Sequence, residues 1–128
     1  MKFRLARHTT DFEPIIHFYC GVLGLELLGE FNGHDGYDGI FIGKGNLGWH
    51  LEFTVSDALP DHQPDEDDLL VFYPENTVEF DQIERQFIAG NISGVKPKNP
   101  YWAANGITYI DPDGFRIVIA KPWITTKF

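Results

Sequence analysis

The sequence predicts an α+β fold in which two tandem βαβββ modules form a curved mixed sheet around a cleft. Three observations carry that prediction. Two amphipathic helices open with the same capping pattern and close on a glycine. Segments 66 residues apart match each other. Asp111-Pro112-Asp113-Gly114 is a tight-turn sequence between two apolar runs, because Pro fixes φ and Gly accepts the positive φ that closes such turns.

Taken in order, Phe3 to His8 alternates as a strand does. Thr10 with Glu13 forms a capping box, Pro14 falls in the first turn where it is tolerated, and Phe12, Ile15, Ile16, Tyr19 and Leu23 recur at helical spacing up to Gly24. Strands follow at Leu25 to Glu30, Ile40 to Gly43 and Leu47 to Val55. The second module starts with a strand from Leu69 to Tyr73. Its helix has Asn76 and Glu79 as the box, Phe80, Ile83 and Phe87 as the stripe and Gly90 as the stop. A weak strand near Val95 and strands at Ile107 to Ile110 and Phe115 to Ala120 complete it. The offset that maps Thr10 to Asn76 and Gly24 to Gly90 also lays Gly48-Trp49-His50-Leu51-Glu52-Phe53 on Gly114-Phe115-Arg116-Ile117-Val118-Ile119, which points to an internal duplication. The expected organisation is one domain over 1–128 with modules at 1–56 and 67–121. Ser56 to Asp68, with two prolines and six acids, reads as the linker. Asn32 to Gly39 and Lys96 to Asn105 read as long mobile loops that could serve as lids.

A chain of 128 residues with 43% hydrophobic and 15% aromatic content can bury a single core. Its formal charge of −9 opposes binding to nucleic acid or to an anionic membrane, both of which attract basic surfaces, and would steer cations inward. One cysteine, Cys20, rules out an internal disulfide and fits a reducing, cytoplasmic setting. Neither a signal-peptide pattern at Met1-Lys2-Phe3-Arg4 nor an apolar run of membrane-spanning length is visible.

Strand alternation assigns the faces. Trp49, Leu51 and Phe53 should pack on the helices, leaving His50, Glu52 and Thr54 to line the cleft with Arg4, Ala6 and His8. Arg116 and Val118 take the inner face of the matching strand, and the offset gives Asp68, Leu70 and Phe72 the same orientation. Tyr101 and Trp102 could stack on a planar ligand or close one end of the sheet. His17, His34 and His62 read as solvated side chains. Neither a nucleophile elbow nor a phosphate-binding glycine motif occurs.

Asp11-Phe12 with Phe18-Tyr19, Val22-Leu23-Gly24-Leu25-Glu26, Leu69-Leu70-Val71-Phe72-Tyr73 and the Asp111 to Gly114 turn resemble the vicinal oxygen chelate superfamily, the glyoxalase, bleomycin-resistance and ring-cleaving dioxygenase group. The resemblance spans nearly the whole chain and is similar to small bacterial members. It implies a glyoxalase-like fold, a homodimer and, in metal-using members, one His or Glu ligand from each of four strands. This chain departs from that set: the first position is Arg4, which cannot bind a divalent ion, the second is Glu52, the third falls on Asp68 or the leucines after it, and the fourth is Val118.

A rearranged metal site of His8, His50, Glu52 and Asp68 is open on chemistry but opposed by spacing, since His50 and Glu52 stand about 7 Å apart along one strand. The alternative for Glu52 is an ion pair with Arg4 or Arg116. The resemblance thus implies either a metal-free protein that binds a small molecule at Arg4, His8, His50, Glu52, Asp68, Tyr101, Trp102 and Arg116, or a divalent-metal lyase or dioxygenase with Glu52 as ligand and base. A pure interaction protein is the third reading, and would have its cleft filled by side chains.

Overall fold

The fold is that of a computed structural model, described for residues 1–124. The chain divides into two compact units, the first Met1–His62 and the second from Gln63 onward.

In the first unit β1 (Phe3–His8) leads into α1 (Phe12–Ile16). The cap is Asp11 rather than Thr10: its carboxylate accepts the Glu13 amide at 3.0 Å, while Thr10 lies outside the helix. From His17 to Val22 the helix widens into π turns, with the Leu23 amide donating to the Phe18 carbonyl at 2.9 Å. This widening swings Phe18 and Val22 inward beside Tyr19 and Leu23, so adjacent residues share the core, whereas Phe12 and Ile16 of the expected stripe remain partly exposed. Gly24, at φ 93°, ends the helix as expected. Cys20 is half-buried within the π turns, and burial pushes its thiol above the ordinary range, which disfavours a nucleophilic thiolate.

Strands β2 (Glu26–His34), β3 (Tyr37–Gly43) and β4 (Trp49–Val55) complete a sheet of order β1-β4-β3-β2, with β1 and β4 parallel and the other pairs antiparallel. Asn32 to Gly39 is therefore mostly hairpin, not a mobile loop. Asp35 (φ 51°) and Gly36 (φ 84°) both adopt the left-handed conformation that a two-residue turn of matching twist requires. A register shift between Phe31 and His34 accommodates Gly33, whose amide donates to the Asp38 carboxylate at 2.8 Å. Ile40, Ile42, Leu51 and Phe53 are buried with Ile15, Phe18, Tyr19 and Val22, and the Phe53 and Tyr19 rings lie 5.3 Å apart.

The second unit has β5 (Leu69–Phe72), α2 (Thr77–Ala89), α3 (Pro100–Asn105), β6 (Gly106–Ile110) and β7 (Arg116–Ala120). Its sheet has order β5-β7-β6, with β5 and β7 parallel, and Val95 adds only an isolated bridge to Thr108. The strands therefore form two mixed sheets, of four strands in the first unit and three in the second, in keeping with the expected α+β fold. Asn76 caps α2 as expected, accepting the Glu79 amide at 2.9 Å. Gly90 does not supply the left-handed stop: its φ is −83°, and Asn91 (φ 58°) takes that role one residue later. Lys96 to Asn105 is not simply a loop either, because Asn99 accepts the Tyr101 amide at 3.0 Å and Pro100 opens a short helix at a position where its missing N–H costs nothing. The Asp111 to Gly114 turn forms as predicted, with Gly114 at φ 90°. The buried Asp111 carboxylate accepts the Asp113 and Phe115 amides, each at 2.9 Å. Phe87, fully buried, lies flat on Tyr109 at 3.7 Å, and Ile117 and Ile119 fill the same α2-facing side.

Candidate functional site

The register of β1 on β4 sets Arg4 opposite His50 and Ala6 opposite Glu52, while β3 brings Phe41 opposite Glu52. Opposed residues of paired strands project from the same face. Arg4, His8, His50, Glu52 and Thr54 thus share the face turned away from the helix, as the alternation predicts.

On that face Arg4 is the organising cation. Its Nε donates to His50 Nε2 at 2.9 Å, its Nη1 lies 3.6 Å from Glu52 Oε2, and its guanidinium carbon sits 4.8 Å from the centre of the Phe41 ring. Because the Nε–H donates, His50 Nε2 offers its lone pair to Arg4 and the imidazole is neutral. His50 also meets Phe41 edge-on at 5.8 Å, and Phe41 lies 5.8 Å from Phe31. Phe31 can fold over the strand only because Gly39 lacks a side chain: a Cβ there would come within 2.2 Å of the ring. Phe31 and Phe41 were not among the sequence-predicted site residues. Their signal is the alternation around Gly29 and Gly39, visible once the hairpin is placed.

His8 stands apart from this group. Its Nδ1 is 2.8 Å from the Thr54 hydroxyl and its Nε2 is 2.7 Å from the Ala58 carbonyl, which can only accept, so Nε2 carries the proton. His62, expected to be solvated, instead donates from Nε2 to the His8 carbonyl at 2.6 Å and ties the segment after β4 to β1. His17 and His34 are exposed as expected; His34 lies 3.7 Å from Asp35 and meets the Phe31 ring edge-on at 6.2 Å.

In the second unit the registers revise the duplication. With β4 and β7 kept at an offset of 66, β1 matches β5 at 65 and β3 matches β6 at 67, so Arg4 corresponds to Leu69, Phe41 to Thr108 and Glu52 to Val118. Leu69 and Val71 therefore share a face with Arg116 and Val118, while Leu70 sits opposite Ile117 on the α2 side, contrary to the orientation expected for Leu70 and Phe72. Asp68 precedes the strand, is exposed, and belongs to a turn in which its amide donates to the Asp65 carbonyl. Arg116 is absorbed structurally: it donates to the Lys96 carbonyl at 3.1 Å and pairs with Glu66 at 3.2 Å, with only 11% of its side chain exposed. Tyr101 is half exposed and meets Trp102 edge-on at 4.9 Å. Trp102 packs toward Gly106 beside the fully buried Val118. Thr108 Oγ1 is buried there with no hydrogen-bond partner among the described residues.

These side chains do not suit a divalent ion. Arg4 engages both His50 and Glu52, His8 spends both nitrogens on protein partners, and Val118 and Leu69 have no donor atoms. Among the described residues no three His, Cys, Asp or Glu side chains converge as a metal-binding group. The face can offer a half-exposed guanidinium, a mostly covered carboxylate and two phenyl rings.

Comparison with known proteins agrees with this architecture. Residues 3–54 match the YycE-like N-terminal domain and residues 67–121 the YycE-like C-terminal domain. Uncharacterized protein YycE of Bacillus subtilis (strain 168) is 42% identical over 118 residues, which is 91% of this chain and 85% of that one. A crystal structure of a YycE protein of unknown function from Bacillus subtilis superposes with a TM-score of 0.85 at 39% identity, covering 98% of this chain and 92% of its own. Glyoxalase I of Leishmania major shares the fold at 18% identity (TM-score 0.71; 93% and 84% covered). TnmS3, an antibiotic binding protein from Streptomyces sp. CB03234, does so at 20% (0.66; 95% and 95%). No helix among the described residues is long and apolar enough to cross a membrane. The two domain matches, in chain order, and the Bacillus relative establish that this chain belongs to the YycE-like family.

Proposed function

We propose that this protein binds a small polar molecule on the Arg4–His50–Glu52 face of its first unit and does so without a catalytic divalent metal. The observation that carries the reading is the Arg4 guanidinium, which takes both His50 and Glu52 as partners at the position where the family resemblance implies a first metal ligand. Arg4 is half exposed and keeps N–H groups to offer, so a ligand carboxylate, carbonyl or phosphonate oxygen can dock on it. Phe31 and Phe41 give a flat apolar surface for the ligand's body. Glu52 holds the local charge near balance and favours a ligand that also carries a donor. The fold is shared by an antibiotic binding protein and by a glyoxalase I, so the preference for sequestration over turnover rests on the Arg4 contacts.

The competing reading, a metal-dependent lyase or dioxygenase with Glu52 as ligand and base, draws on the family resemblance, which implies a ligand position for Glu52. It requires Arg4 to release that carboxylate. Elemental analysis of protein purified without chelator decides between them: stoichiometric Ni, Zn, Mn or Fe that disappears in Glu52→Ala overturns our proposal. Thermal-shift screening against antibiotics and thiol conjugates should yield a stabilising compound whose effect is lost in Arg4→Met, since a ligand raises stability by mass action.

A further inference from the structure

The second unit carries a cavity of about 400 Å³ on the α2 side of its sheet, away from the face of Arg116 and Val118. Its walls are Glu84 and Ile88 of α2, the returning segment 91–94, and Ile107 and Tyr109 of β6. The chain makes this space by a sharp reversal: Asn91 takes φ 58° just after α2 ends, and the Val95 amide donates to the Thr108 carbonyl at 2.8 Å. Gly94 permits the close approach, because a Cβ there would lie 3.0 Å from Ile107. The volume falls within the range of small-molecule sites.

The lining is mixed in a particular way. Ile88, Ile92 and Ile107 supply aliphatic surface, and Ile88 is 68% exposed at the rim, which leaves a large apolar side chain in water. Glu84 and Tyr109 are the ionisable groups. No cationic side chain pairs with Glu84 and no protein group hydrogen-bonds the Tyr109 hydroxyl among the described residues. Tyr109 is pinned by its stack on Phe87 and is 3% exposed, so its hydroxyl is held in place at the cavity. Burial and the nearby Glu84 carboxylate push the phenol up to about 12, which keeps it protonated. An uncompensated carboxylate beside a fixed neutral phenol, in an open depression whose lining is half polar and half apolar, is a complementary surface for a cation with an apolar body.

We propose that this cavity is a second ligand site, which takes a small organic ammonium ion by pairing its charge with Glu84, hydrogen-bonding it to Tyr109 and packing its carbon chain on Ile88, Ile92 and Ile107. The chain's net charge of −9 raises the local concentration of such cations. The probe is hexylammonium, titrated at pH 7 and followed by isoleucine methyl NMR, with hexanol and hexanoate in parallel. Saturable shifts at Ile88, Ile92 and Ile107 are expected with hexylammonium and at least tenfold weaker binding with the other two. Glu84→Gln should weaken binding tenfold or more while preserving the methyl spectrum, and Tyr109→Phe should weaken it severalfold. Glu75→Gln, an exposed site outside the cavity with the same charge change, should have no effect beyond a factor of two. Hexanol binding as tightly as hexylammonium, equal losses in Glu84→Gln and Glu75→Gln, or the absence of saturable shifts at these isoleucines would each overturn the proposal.

Discussion

Replacing Arg4 by Met and Glu52 by Gln, singly and together, measures the interaction on which the metal-free reading rests. At the observed 3.6 Å the Coulomb attraction is roughly 4.6 kcal/mol for an effective dielectric of 20 and about 1.2 kcal/mol in bulk water. Arg4 has 48% of its side chain exposed and Glu52 13%, so the pair lies between these limits and is discounted by solvent screening and by the entropy of holding two long side chains. A coupling energy of about 1 kcal/mol is expected from the cycle. The single changes should be unequal. Arg4→Met strands a largely covered carboxylate and removes the donor to His50, at a cost of about 2 kcal/mol, whereas Glu52→Gln keeps a hydrogen-bonding group and costs about 1 kcal/mol.

Urea unfolding followed by tryptophan fluorescence gives the four free energies, because Trp49 lies on β4, the strand that bears Glu52. Repeating the cycle in 1 M NaCl should shrink the coupling without abolishing it, since the carboxylate is mostly shielded from the ionic atmosphere. Additivity within about 0.3 kcal/mol would show that Arg4 does not hold Glu52 in solution. Marked stabilisation of wild type by Zn or Ni, lost with Glu52→Gln, would be worse for the argument, because it would put Glu52 on a metal.

Gly39→Ala should displace the Phe31 ring at a cost of no more than about 1 kcal/mol, since the clash falls on the far end of a partly exposed side chain; loss of the NOE contacts between residue 39 and Phe31 checks it. Asp111→Ala leaves two amides of the turn unpaired and should cost about 2 kcal/mol in urea unfolding, with Asp111→Asn recovering part of it. The Tyr109 phenol is raised from its ordinary 10 to about 12, so folding favours its protonated form: that stability is intact below pH 10 and is lost as pH rises from 10 through 12, by up to about 1.4 kcal/mol per unit. The difference between wild type and Tyr109→Phe in urea midpoints at pH 9, 10 and 11 should follow that slope, and a flat difference would refute it.

The strands and the two expected helices were legible because a period of two or 3.6 survives where one face is buried, as with Leu51 and Phe53 of β4 and Phe80 and Phe87 of α2. Three local features overrode the simple reading. Asp11 outcompeted Thr10 because its carboxylate reaches the Glu13 amide without the longer box. The Asp35-Gly36 turn was hidden among glycines, although an Asp-Gly pair between alternating residues is a hairpin signal. Asn99-Pro100 started a short helix inside a segment that composition alone assigns to a loop.

The site was legible in its residues but not in its pairings, and the reason is register. One fixed offset placed Asp68, Leu70 and Phe72 on the polar face, yet the two halves drift from 65 to 67 between strands, and a drift of one residue turns a strand over. Once corrected, the counterparts of Arg4, Phe41 and Glu52 are Leu69, Thr108 and Val118, so the second unit keeps the scaffold while losing every charged group of the first-unit cluster except at the His50 position, where Arg116 is turned to Glu66 and Lys96. A chelate drawing one ligand from each of four strands needs donors in both halves. With the donors confined to the first unit, Glu52 is stable in a covered position only if something else supplies positive charge, and a side chain long enough to reach it from the facing strand while also bonding His50 meets that need. Arg4 is such a side chain, which ties the absence of a ligand set in the second unit to the cation in the first.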